Sequence, residues 1–104
     1  MLEHYVVFKP RPGREPELSA ALAALSSGVA DVPGLRDLTW GENTNASGLQ
    51  RGFTHGCLGR FDDRAAFQLY WDHPAHEELM ARLDDLCDER FAIDYSTEQS
   101  GGRG

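Results

Sequence analysis

Long apolar runs, basic residues, cysteine and catalytic signature motifs are all scarce in this sequence, and each shortage closes off a class of function. No stretch approaches the roughly 20 apolar residues of a bilayer-spanning helix. Met1-Leu2-Glu3-His4 has neither the basic start nor the apolar core of a secretion signal. The expectation is a cytoplasmic protein that keeps off the membrane. Ten basic residues, with Lys9 the one lysine among them, face 17 acidic ones, for a net charge of −7. Phosphate backbones repel such a chain, so nucleic acid is not expected as a partner. The excess is lopsided: residues 53–104 carry 11 acids against 5 bases, residues 1–52 carry 6 against 5, and most of it reads as solvated helix surface. Cys57 and Cys87 are too far apart for a CxxC motif and too few for a zinc site, and are expected reduced and buried. A phosphate-cradling glycine loop, GxSxG, HExxH and any Cys/His metal cluster are absent.

What is present is one small core. A chain of 104 residues buries only about 60–65% of the surface its unfolded form exposes, so a ligand cavity is expected to be walled partly by something else, most economically a second copy. His4–Lys9 reads as a strand, with Tyr5 and Val7 on one face and His4, Val6 and Phe8 on the other. Pro10-Arg11-Pro12-Gly13 stops it. Pro16 opens a helix whose stripe is Leu18, Ala21, Leu22, Leu25 and Val29. After Pro33-Gly34, Leu35–Gly41 is a short strand with Leu38 and Trp40 on one face, followed by the polar loop 42–48. Its Asn45-Ala46-Ser47 sequon means nothing without secretion. Phe53–Phe61 is a third strand with Phe53, His55, Cys57 and Phe61 on one side. Asp62-Asp63 caps a short helix containing Ala66, Phe67, Tyr70 and Trp71. Asp72-His73-Pro74 breaks it. Pro74 opens a further helix with the stripe His76, Leu79, Met80, Leu83, Leu86 and Cys87, ending near Glu89-Arg90, and Phe91–Tyr95 alternates as the last strand. Residues 98–104 read as a disordered tail. The fold class is α+β, a ferredoxin-like βαββαβ domain over residues 1–97: a four-stranded antiparallel sheet with helices on one face. The bare second face carries apolar and aromatic residues, and sheet-to-sheet homodimerisation would cover it.

Chemistry then rests on four histidines, the side chains best placed to exchange protons near neutral pH. His76 lies on the apolar stripe and faces inward, either as a core histidine with one hydrogen bond or as a general base whose pKa burial lowers. Tyr70, across the Pro74 break, could reach the same space or simply pack. His4 and His55 sit on neighbouring strands and could share a face of the sheet. His73, before Pro74, reads as exposed or capping. Trp40 and Trp71 read as packing, with Trp71 also counted among the ligand-lining candidates. Asp94 reads as a solvent-facing or strand-pairing residue.

The string Tyr70-Trp71-Asp72-His73-Pro74-Ala75-His76 resembles the signature of the stress-responsive A/B-barrel (Dabb) family. His4-Tyr5-Val6-Val7-Phe8-Lys9, Trp40-Gly41, Phe53-Thr54-His55 and Ile93-Asp94-Tyr95 support it, so that the resemblance covers roughly residues 3–96. Within the family the pattern is most similar to the plant polyketide cyclases that form olivetolic acid. The resemblance implies a homodimeric α+β barrel. It implies His76 as catalytic base, Tyr70 as catalytic hydroxyl, and His4 and His55 as pocket histidines. The chemistry implied is an intramolecular aldol condensation of a poly-β-keto thioester, with no metal and no organic cofactor. The first helix has no tyrosine and the proline-rich turn after Lys9 differs, so acyl-chain specificity does not carry over. Nine arginines to one lysine point to a GC-rich bacterial source.

Three functions follow. The first is a cofactor-independent cyclase or lyase for a small polyketide-like or β-dicarbonyl substrate. The second is a non-catalytic, ligand-binding stress-responsive dimer. The third, a monooxygenase of the dimeric α+β-barrel type, is disfavoured because no asparagine lies between Leu2 and Lys9. A metal held by His4, His55 and His76 is a further question of geometry.

Overall fold

The computed structural model describes residues 1–97; the expected tail, 98–104, lies outside them. The elements run β1 (Leu2–Pro10), α1 (Glu15–Gly28), β2 (Leu35–Glu42), β3 (His55–Phe61), α2 (Arg64–Trp71), α3 (Pro74–Leu86) and β4 (Cys87–Ser96). The strands make one antiparallel sheet in the order β2-β3-β1-β4, the expected ferredoxin-like arrangement.

The α1 stripe is buried as the spacing requires, with Leu18, Leu22 and Leu25 at 2% exposure or less, each worth about 1.5–3 kcal/mol of burial. Gly34 at φ +83° makes the turn into β2, and a Cβ there would come within 2.5 Å of the Ala66 Cβ. Only glycine gives both the left-handed backbone and the close approach of the turn to α2. Asp63 caps α2, its carboxylate accepting from the Ala66 N–H at 2.9 Å.

β1 runs past the expected His4–Lys9 at both ends and β2 extends by one residue to Glu42, and two strand starts differ more. β3 begins at His55 and not at Phe53, because Arg51 (φ 51°) and Gly52 (φ 83°) reverse the chain and the Phe53 N–H turns back to the Gln50 carbonyl. α3 ends at Leu86, and β4 starts at Cys87 and not at Phe91. The charged segment 88–90 resembles helix surface, but it pairs with β1, Lys9 lying opposite Glu89 and Pro10 opposite Cys87. Long-range pairing thus overrides a local pattern. Both cysteines are free and buried.

Residues paired across strands share a face. His4, Val6 and Phe8 lie opposite Gly59, Cys57 and His55 of β3 and opposite Asp94, Ala92 and Arg90 of β4. The other face carries Tyr5, Val7, Leu58, Phe91, Ile93 and Tyr95, of which Phe91 and Ile93 are 61% and 50% exposed. That is the uncovered apolar face.

Candidate functional site

The helix break at Asp72-His73-Pro74 builds the centre of the site. In an unbroken helix the Trp71 carbonyl would accept from the Ala75 N–H. Here His73 caps α3 and its Nδ1 takes the Ala75 N–H instead, at 3.1 Å, while its Nε2 lies 3.2 Å from Asp31. The Trp71 carbonyl is left as an orphan acceptor at the end of α2, and the His76 Nδ1–H donates to it at 3.1 Å. This fixes the tautomer: Nδ1 carries the proton and Nε2 keeps its lone pair. His76 is 4% exposed, with its ring 4.7 Å from that of Tyr70 and 4.6 Å from that of Trp71, centroid to centroid.

Burial lowers the His76 pKa below its usual 6.5, and nearby His4 pushes the same way, against the Trp71 carbonyl and Asp72. The imidazole is therefore neutral at pH 7. Burial pushes the Tyr70 hydroxyl well above its ordinary value, so it stays a donor. Among the described residues that hydroxyl has no hydrogen-bond partner, although Tyr70 is 2% exposed. A buried unpaired hydroxyl is costly unless a ligand or water meets it.

His4 enters from β1, its ring 6.2 Å from that of Tyr70. Its Nδ1 lies 2.5 Å from an Asp94 carboxylate oxygen, directly across the β1–β4 ladder. Asp94 is the residue that alternation alone assigned to solvent or strand pairing. Strand pairing is where it sits, but its carboxylate orients a pocket histidine. His4, Tyr70, Trp71 and His76 line a cavity of about 170 Å³ whose remaining wall is largely apolar, including Val6, Leu25, Cys57, Leu79 and Leu83, with Arg90 as its charged member. Burial raises the Cys57 thiol to about 12, so it is an inert wall. Trp71, 41% exposed, stands with His76 and Met80 between this cavity and an outer hollow of about 460 Å³.

His55 does not join them. It pairs with Phe8, four positions along β1 from His4, about 13 Å at the usual rise per residue. It is 2% exposed, stacks on Trp40 at 6.4 Å, and lines a separate open cleft of about 750 Å³. The shared pocket expected for His4, His55 and His76 thus holds two of the three. Among the described residues, no three His, Cys, Asp or Glu side chains gather in a metal-holding group, and no helix is long and apolar enough to cross a membrane.

The model of the Stress responsive A/B Barrel Domain matches residues 2–97. The chain belongs to this Dabb family. A stress-response A/B barrel domain-containing protein of Arabidopsis thaliana is 24% identical over 94 residues, 89% of this chain and 83% of the relative. A dimeric ferredoxin-like protein of unknown function from Jannaschia superposes with a TM-score of 0.84 at 27% identity, covering 92% of this chain and 98% of that one. A hydroxynitrile lyase from Passiflora edulis gives 0.77 at 17% identity, with 94% of each chain covered. At that identity the likeness is one of fold.

Proposed function

We propose that the protein is a cofactor-independent cyclase or lyase for a small carbonyl compound of the β-dicarbonyl or polyketide-like class. His76 removes a proton through Nε2 and the Tyr70 hydroxyl donates to the carbonyl oxygen on which charge develops. His4, held by Asp94, donates to or accepts from a second oxygen of the substrate. The single observation that carries this reading is His76, pinned through Nδ1 to the Trp71 carbonyl with its other nitrogen free in an apolar cavity beside an unpaired tyrosine hydroxyl. A core histidine would also make one hydrogen bond, but it would not need open space at its second nitrogen beside an unpaired hydroxyl. An acidic carbon between two carbonyls supplies its own activation, so the step requires no cofactor.

A cavity of about 170 Å³ is close to the 150 Å³ that holds benzene in an engineered protein. It takes the reacting portion of a substrate, and the rest extends past Trp71 and Met80 into the outer hollow. Two copies pack through the exposed β1–β4 face, as expected of a small domain with exposed Phe91 and Ile93, and the Jannaschia relative is described as dimeric.

The test is turnover of two probes, a 3,5-dioxo thioester followed by mass spectrometry and an aromatic cyanohydrin followed by aldehyde absorbance, the second chosen because a lyase shares the fold. Turnover of either by the wild type and its loss in His76→Ala support the reading. Equal activity in His76→Ala overturns it, and tight binding of either probe without turnover favours the ligand-binding dimer.

A further inference from the structure

The cleft around His55 holds a second arrangement that the first site does not use. His55 Nδ1 lies 2.7 Å from the Thr54 hydroxyl oxygen and Nε2 lies 2.8 Å from the Ser19 hydroxyl oxygen. With the Nδ1–H donated to Thr54, Nε2 is left to accept the Ser19 proton. That is the nucleophile, base and orienting group of a serine acyl-transfer centre, with a hydroxyl in the place of the orienting carboxylate. Ser19 projects from α1, half-buried, and lines the cleft with His55. Burial lowers the His55 pKa, against the pull of Glu42 and Glu15, so the imidazole is available as a base at neutral pH.

Two amide side chains line the same cleft. The Asn45 side-chain oxygen accepts from the Ser47 N–H at 2.9 Å, and the Gln50 side-chain oxygen accepts from the Gly48 N–H at 2.8 Å. These bonds fix both amides with their oxygens engaged. Among the described residues, the two NH2 groups have no partner, and both residues line the cleft. They are suited to receive a carbonyl oxygen as it becomes an oxyanion. The carboxylates of Glu15 and Glu42 also line the cleft, which disfavours an anionic substrate.

We propose that Ser19 and His55 form a second reactive centre, independent of the His76 cavity, which takes an acyl group from a small neutral or cationic ester. Ser19 Oγ attacks the acyl carbon as its proton passes to His55 Nε2. The alkoxide leaves and takes that proton, giving an acyl-Ser19 ester. Water then attacks, its proton passes to His55, the Ser19–acyl bond breaks, and the proton returns to Oγ, releasing a carboxylic acid.

The experiment uses the full chain with two probes. p-Nitrophenyl acetate is followed by nitrophenolate release, and a fluorophosphonate by intact mass and peptide mapping. The expected result is one phosphonyl adduct on Ser19 and acetate-ester hydrolysis at least about 100-fold faster than in Ser19→Ala, the scale of positioned base catalysis. Alanine is a good helix former, so Ser19→Ala should keep α1. The labelling of the wild type requires no variant at all. An adduct mapped elsewhere, no adduct, or unchanged hydrolysis in Ser19→Ala overturns the proposal, and none of these results bears on His76.

Discussion

The two ends of the sheet's helix-covered face each bury a histidine, and the two histidines are treated in opposite ways. At the α2–α3 end, His76 spends one nitrogen on a backbone carbonyl and keeps the other for a smaller, largely apolar cavity. At the α1 end, both nitrogens of His55 are engaged by hydroxyls beside an open polar cleft. Burial depresses both pKa values, so burial alone does not tell the sites apart. What differs is the partner left over: a substrate carbon at one end, a serine proton at the other.

The largest expected effect is at the first end. His76→Ala should lower turnover of the dioxo thioester or cyanohydrin by about 10²–10⁴, the scale of general base catalysis, with the circular dichroism spectrum unchanged. Tyr70→Phe should cost about 10²–10³ in kcat, as loss of an oxyanion donor does. It should leave the melting temperature unchanged or slightly raised, because the hydroxyl it removes is buried without a protein partner. A marked fall in melting temperature would show that Tyr70 serves the core. Asp94→Asn keeps the shape beside His4 and removes the charge, and should reduce kcat/KM about 10- to 100-fold.

The pH dependence sharpens the comparison further. Folded His76 and His55 bind protons less tightly than their unfolded counterparts, whose usual value is 6.5. On acidification the unfolded chain takes up more protons. Stability is therefore full above about pH 6.5 and declines as the pH falls through the lowered folded values. Chemical denaturation between pH 8 and 5 checks this, and equal stability across that range would contradict it. The smallest effect expected at either site comes from the far face. The proposed pairing of two copies through this face predicts that the wild type is a dimer and Ile93→Asp a monomer by light scattering, with the helix content retained.

Much of this was legible in the residues. The stripe spacing put His76 inside, the proline after His73 placed the break, and Asp63 announced its cap. The family signature covers His73, Pro74 and His76 as well. Asp94 was not legible in its role, because alternation gives a face but not the residue opposite, and His4 meets it only through the β1–β4 register. The separation of His55 from His4 was hidden for the same reason: a shared face says nothing about distance along the strand. The start of β4 was masked by charges that suit a helix surface equally well. Ser19 carried no signal, since its partner is 36 residues away.

Nitrogen-resolved NMR of the histidine rings across pH 5–8 reads the tautomer and the titration of His76 directly. At pH 7 His76 should be neutral with its proton on Nδ1 and a free Nε2, and it should titrate below 6.5. A proton on Nε2, or a titration above 6.5, would contradict it.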